Sequence, residues 1–505
     1  MKDESPQNDR TGFVAFIRRH PWLTTASSLV LLVGVLFLSV EWHAERRWQR
    51  YAAEARARGA KLYYTDLVRP EIRPEQNFAE LPMLKKALTG GENEPPFKLP
   101  KWPRTKPAIA GRKSSSYDDI PPTLGNASKG EKTNWKDWQD YFQAVGFLTE
   151  TTNDPARDVL RALEHYAPQF QEWSEWRTTR MQCQLPLKTA NGKPVLSSTF
   201  IPAAMMFNLR LSAYLAEGHS AAAYADFQDG LEVARVLQSA PSMVNAMLRR
   251  GTLYFLLETM AVGLRDHTWA DAELKKIKAD LDALRMWEDF RAEMEAARCE
   301  LNAATEKLMN TSFRERALME DSFGLLGSRP AIAYQLTPRS VFRDNELRLN
   351  QYIDELTARG STPEATFNLD REIPSSPVNL ATSYDKEYYF IADLQGDTYE
   401  IVERQYIRLH ILLDEARLAS ALERFRLAHG VYPATLAELV PEFIEALPVD
   451  IYGRGPYRYQ RVAAASFQLY SVGENRRDDG GDAARQPAGQ PPKDIVWQFA
   501  PAAGQ

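Results

Sequence analysis

Apolar residues recur at three- and four-residue spacing through most of the chain and switch to alternation only near its end, which predicts a mostly helical protein with a small C-terminal sheet. The first strong signal is an uncharged run from Pro21 to Val40, which matches the roughly 20 residues a helix needs to cross a bilayer. Trp22 and Trp42 bracket it, as interfacial aromatics do. A cleavable signal peptide competes with an uncleaved anchor, but no A-x-A-like site follows the run, so an anchor is the expectation. Lys2, Arg10, Arg18 and Arg19 before the run nearly balance Arg46, Arg47, Arg50, Arg56 and Arg58 after it, so charge does not fix the orientation. Beyond the anchor, AERRWQRYAAEARARGA predicts a continuing helix, a solvated stalk that Gly59 stops, with interfacial contacts through Trp48 and Tyr51.

LVRPEIRPEQNFAELP then reads as extended, because each proline biases its predecessor away from helix. Residues 90–130, including KLPKWPRTKP and GRKSSS, have the composition of a linker or long surface loop. Helix resumes at Asn134 and continues past Asp154 and Pro155, a cap followed by a first-turn proline. Trp135, Trp138, Tyr141 and Phe142 fall at helical spacing and read as core. NLRLSAYLAEGHSAAAYADFQDGLE, from Asn208 to Glu232, resembles one tetratricopeptide repeat. Ala213, Tyr214, Gly218, Ala223, Phe227 and Leu231 stand where that family places its packing residues, although Gly230 replaces the expected alanine. No second copy follows at that period, so an irregular, TPR-like helical domain is expected, with MLRRGTLYFLLETMAVGL and WADAELKKIKADLDALRMWEDF as its continuation. Residues 320 to 395 read as irregular, with short helices between loops. Near Tyr399 a long helix begins, carrying Leu409, Leu412, Leu413, Ala416, Ala419, Leu422 and Phe425 on one stripe and stopped by Gly430 and Pro433. YGRGPYRYQ, SFQLYSVG and DIVW predict strands.

The chain has 505 residues and a formal net charge of -5 without a concentrated basic face, which argues against nucleic acid as a partner. Cys183 and Cys299 form no zinc-type cluster; they are either one disulfide or two buried thiols. The 7 histidines are scattered, and no HExxH, GxSxG, P-loop or dinucleotide fingerprint is present. Glu293 and Glu295 read as a solvated helix face. Ser383 to Lys386, SYDK, matches SxxK formally, but the companion SDN and KTG motifs of that chemistry are absent.

The C-terminal order of helix, turns, small sheet, acidic loop and last strand resembles the major pseudopilin of type II secretion. The resemblance rests on Arg426, His429, Gly430, Tyr432 and Pro433; on Leu447, Pro448 and Asp450; on the GxPYxY stretch from Gly453 to Tyr459; on YSVG from Tyr470 to Gly473; on Gly480 and Gly481; and on DIVW from Asp494 to Trp497. It covers about the last fifth of the chain. Gly12 and Phe13 offer only a superficial prepilin site, with Ile17 where pilins place Glu, so pilus assembly is not expected. The chain as a whole resembles a family of bacterial membrane-anchored proteins of uncharacterised activity, with an anchor, a helical middle and this module. That resemblance implies a single-pass protein of the bacterial inner membrane with its bulk in the periplasm.

In the pseudopilin family the acidic loop binds calcium, a cation that takes six to eight oxygens at flexible geometry. The resemblance carries Asn475 and Asp494 onto that site, with Asp478, Asp479 and Asp482 as further ligands and oxygens from Leu469 and Ser471. Arg476 and Arg477 within the loop, and the insertion AARQPAGQPPK, depart from the family. The alternative is that those arginines pair with Asp478 and Asp479 and close a merely polar turn.

The resulting organisation is a tail (1–20), a transmembrane anchor (21–42), a juxtamembrane helix and extended segment (43–89), a linker (90–130), a TPR-like helical domain (131–318), an irregular connection (319–396) and a pseudopilin-like α+β module (397–505). The expected function is a non-enzymatic protein-interaction or scaffold protein of the envelope, connected with secretion, with protein partners on the helical domain and Ca2+ in the module. The competing expectation is an envelope hydrolase whose site is formed by residues distant in sequence, centred on 320 to 395.

Overall fold

The computed structural model describes residues 21–67, 69, 71–89, 97–101, 121–125, 132–186, 200–311, 337–359, 369–370, 382–482 and 493–497. The tail, most of the 90–130 linker and the 483–492 insertion lie outside them. In chain order the helices are α1 (Pro21–Ala57), α2 (Pro82–Thr89), α3 (Trp135–Ala144), α4 (Pro155–Leu163), α5 (Ala167–Thr179), α6 (Ile201–Ala216) and α7 (Ser220–Gln238). They continue as α8 (Met243–Arg265), α9 (Asp271–Asp282), α10 (Met286–Asn310), α11 (Arg339–Ala358), α12 (Ser383–Tyr388) and α13 (Phe390–His429). The strands are β1 (Arg458–Ala463), β2 (Ser466–Ser471) and β3 (Ile495–Trp497). Contacts divide the chain into one unit of Met1–Leu67, Arg298–Ala358 and Arg371–Glu400, and another of Val68–Ala297, Arg359–Asp370 and Ile401–Gln505.

In the first unit, α1 is long and apolar enough to cross a membrane, and its side chains from Leu29 to Val40 are exposed. Past the apolar run, the helix is not a solvated stalk. Trp48, Tyr51, Ala52 and Ala55 are buried, and Leu62 and Leu347 complete their cluster. The partner is α11, a 20-residue helix within the stretch whose sequence suggests only short helices. Its apolar positions Phe342, Leu349, Tyr352, Ile353 and Leu356 fall at helical spacing among charges and are fully buried. Those charges turn toward α1: Arg47 donates to Asp344 (2.6 Å), Arg343 to Glu45 (2.8 Å), and Tyr51 to Asp354 (2.9 Å). Ser340 donates to Glu41 (2.9 Å), so the two helices run in the same direction. Side chains that look solvated in sequence are therefore cross-links between helices.

In the second unit, α6 and α7 form the antiparallel hairpin that the sequence leads one to expect, with Gly218 at φ 74 in the turn, where a left-handed backbone favours glycine. Ala213, Ala223 and Phe227 are fully buried between the helices. Buried carboxylates fix the layer: Arg210 grips Asp226 through two nitrogens, with Nε at 2.8 and 3.0 Å, and Arg177 reaches Asp229 at 2.6 Å. A Cβ on Gly230 would come within 2.6 Å of the Leu256 side chain on α8, so glycine here leaves room for that side chain. Trp138, Tyr141 and Phe142 lie in the main core with Phe170, Trp173 and Phe207, as their helical spacing predicts. Each such side chain contributes roughly 1.5–3 kcal/mol through burial. The Asp154 side chain caps α4 by accepting from the Arg157 amide at 3.2 Å.

The chain ends in a three-stranded antiparallel sheet of order β1-β2-β3, with Tyr459 opposite Leu469 and Leu469 opposite Trp497. The long helix α13 starts at Phe390, earlier than the sequence suggests, because Asn345 accepts from the amides of Ile391 and Ala392 at its start. No disulfide joins Cys183 and Cys299. Burial pushes the Cys183 thiol up to about 11, which keeps it protonated and a weak nucleophile near neutral pH.

Candidate functional site

The motif residues at the C-terminus build a network in which most polar groups already have partners. The Glu423 carboxylate on α13 accepts from Arg426 at 2.6 and 2.9 Å, from the Tyr432 hydroxyl at 2.7 Å, and lies 3.0 Å from Nδ1 of His267. His429 instead packs against Phe425, with ring centroids 4.2 Å apart and the rings tilted by 43°, the structural role its turn position suggests. Asp450 of the LPxD turn accepts from Ser471 Oγ (2.7 Å) and from the amides of Tyr452 and Val472 (3.1 Å each). Two separate sequence motifs thus meet around one buried carboxylate.

The acidic loop is closed in the same way. The Asp494 side chain is buried and accepts from the amides of Gly481 (2.8 Å), Asp482 (3.2 Å) and Asp479 (3.5 Å). Burial raises its carboxyl above the usual range, and those amides oppose the shift. Asp478 accepts from Tyr470 (2.8 Å), the Gly480 amide (3.1 Å) and Arg458 (2.9 Å), and with the Tyr470 hydrogen bond foremost is held below the usual carboxylate range. Asn475 donates to Asp479 at 2.6 Å, and Lys493 reaches Asp482 at 3.0 Å. Gly473 has φ 68, and a Cβ there would meet the Lys493 carbonyl at 2.1 Å, so glycine permits the approach of the two loop halves.

The seven residues carried over from the pseudopilin resemblance are therefore neighbours without converging on one point. Leu469 pairs with Trp497 in the sheet, Ser471 turns to Asp450, and N–H hydrogens rather than oxygens surround Asp494. Among the described residues no three His, Cys, Asp or Glu side chains are grouped so as to hold a metal. In this arrangement backbone amides and basic side chains already partner the oxygens of Asp494, Asp478 and Asp482. The alternative of closure by the loop's own arginines also needs correction: Arg476 pairs with Asp370 at 3.1 Å, and the partner of Asp478 is Arg458 of β1.

One carboxyl group beneath the sheet differs from these. Glu415 on α13 is fully buried, and neither oxygen has a well-formed hydrogen bond; the Ser471 amide is the donor turned toward it. Burial, followed by the neighbouring charge of Asp450, raises its carboxyl well above the usual range.

A second feature of the same unit has no sequence motif. A groove of about 330 Å³ runs between α8 and α13, lined by Met247, Arg250, Gly251, Tyr254 and Phe255 on one side and by Gln405, Arg408, Leu409 and Leu412 on the other. Met247 is 54% and Phe255 56% exposed, so the groove is an open apolar channel in the surface. Its lining contains no acid, Ser or His. The signal that sequence reading passed over is Gly251, a glycine inside an otherwise strong helical stripe. For the SxxK match, Ser383 and Lys386 lie on the six-residue α12, with Thr382 accepting from the Asp385 amide at 3.0 Å and Lys386 exposed. Most of the 320 to 395 stretch around it, apart from α11, falls outside the described residues.

Comparison with protein families, with curated proteins and with solved structures finds no match for this chain.

Proposed function

We propose that this protein is a membrane-anchored, non-enzymatic interaction protein of the bacterial envelope, holding partner proteins on its helical unit. The groove between α8 and α13 carries the reading: apolar side chains lie open to solvent where a monomer would gain by covering them. The apolar α1 supports attachment to a bilayer, and a periplasmic location of the bulk follows the family resemblance. The C-terminal module serves in this reading as a rigid cap whose turns are set by Asp450 and Asp494. Calcium belongs to the proposal as a competing closing agent: to hold it, Asp494 must exchange its amide partners for the cation.

Photo-crosslinking in intact cells tests the interaction. A benzoylphenylalanine replacing Phe255 is expected to capture a reproducible protein partner, whereas the same group replacing Met181, an exposed residue away from the groove lining, is expected to capture none. Equal capture at both positions, or none at either, removes the groove from the function. Calcium is tested on the full chain by thermal unfolding, since a ligand at a hundred times its dissociation constant adds about 2.7 kcal/mol to the folded state. No shift in millimolar calcium leaves the loop a self-closed turn.

A further inference from the structure

We infer that the groove receives an amphipathic α-helix of a partner protein, its apolar stripe lying over Gly251 and an acidic side chain pairing with Arg408. The inference rests on the protein-binding reading above and specifies the partner's chemistry. Met247, Gly251, Tyr254 and Phe255 follow one another at helical spacing, as do Gln405, Arg408, Leu409 and Leu412 on the facing helix. Two such ridges leave between them the kind of valley into which a third helix packs.

Gly251 is the residue that shapes this valley. Three glycines sit inside α7 and α8 and are not equivalent. A Cβ on Gly230 would meet the end of the Leu256 side chain at 2.6 Å, and one on Gly263 would strike Nε1 of Trp269 at 2.4 Å, so side chains of the unit itself fill the space beside both. A Cβ on Gly251 would meet nothing within 4 Å. Glycine inside a helix costs stability relative to alanine, and at Gly251 no neighbour in the chain uses the space. The effect of its missing side chain is to keep the groove floor open.

Charge selects the occupant. Arg250 is paired with Glu293 and is neutralised within the unit. Arg408 is exposed and has no ion-paired acid among the described residues, so the groove presents one uncompensated positive charge beside apolar surface. A second copy docking through the same face would offer Arg408 no acid, because a two-fold contact presents the same lining on both sides and that lining contains neither Asp nor Glu. An acidic amphipathic helix satisfies both the apolar and the charged side.

The probes are two fluorescein-labelled 18-residue peptides with leucines at helical spacing, identical except for a central Glu or Lys, titrated against the full chain in nanodiscs. The Glu peptide is expected to bind at least tenfold more tightly than the Lys peptide. Gly251→Leu is expected to weaken that binding at least tenfold, Gly251→Ala less, and Arg408→Glu to reverse the preference between peptides. Equal affinities for the wild-type chain, or binding indifferent to Gly251→Leu, overturn the inference. Crosslinking from position 255 separates the two levels of argument. A captured protein without peptide discrimination overturns the acidic-helix inference and leaves the interaction reading standing; a homodimer or lipid adduct as the sole product overturns the inference; neither capture nor peptide binding overturns both.

Discussion

The acidic loop after β2 and the groove between α8 and α13 handle exposed chemistry in opposite ways. In the loop, carboxylates draw backbone amides and basic side chains around themselves, so charge that looks available is internally satisfied. In the groove, ordinary helical residues leave apolar side chains and one cation open to solvent. A concentration of reactive residue types is therefore a poor guide to an open site here. Burial of a charge demands partners, and a tight loop has backbone donors at hand; an apolar ridge can be covered only by another body.

The largest expected effect lies in the loop. Asp494→Ala leaves three amides without their acceptor and is expected to destabilise the protein by about 3 kcal/mol, since hydrogen bonds to charged groups contribute more than neutral ones. Thermal unfolding measures this, and a loss below half a kcal/mol would mean that the amides find water as readily as Asp494.

Next is Glu415, which sets a pH dependence. Asp450, Asp414, Arg408 and Tyr457 are the charged or titratable groups that act on it or respond to it. Its folded-state pKa is raised, so the native protein holds a proton that the unfolded chain releases. Its contribution is fully present below the unfolded carboxyl pKa of about 4.3 and is lost as pH rises toward the folded value, at no more than about 1.4 kcal/mol per pH unit. Glu415→Gln removes this titration, so the wild type is expected to lose stability relative to the variant as pH rises across that window. Parallel stability curves from pH 4 to 8 would show that Glu415 ionises in the folded state as it does in the unfolded chain.

The glycines give a smaller and more pointed contrast. Gly263→Ala is expected to destabilise by about 1–3 kcal/mol through overpacking against Trp269. Gly251→Ala is expected to stabilise the isolated protein by about 0.5–1 kcal/mol, because the helix gains and nothing is displaced. Destabilisation by Gly251→Ala in chemical denaturation would show that the open floor serves internal packing after all. The smallest effect is that of Asp478→Asn: its ion pair with Arg458 is exposed on both sides, and the expected change is under about 1 kcal/mol at moderate salt.

Several elements follow from local sequence alone, because their causes are local. The length and apolarity of α1, the Asp154 cap, the Gly218 turn and the Gly430 stop after α13 depend on residues within a few positions of one another. The aromatic stripe of α3 is core for the same reason, since spacing places it on one face. Helix α11 was hidden because pairs nearly 300 positions apart satisfy its charges, and only the folded chain brings Asp344 to Arg47. The ligand set proposed for the loop was legible as a list of acids, but its geometry depends on where backbone amides point, and composition does not determine that. The groove was illegible because it belongs to two helices about 150 positions apart, and neither stripe shows whether another element covers it. Periodicity and turn chemistry determined the elements; the tertiary structure decided which polar groups are satisfied and which apolar surface stays open, because both depend on partners that meet only after the chain has folded.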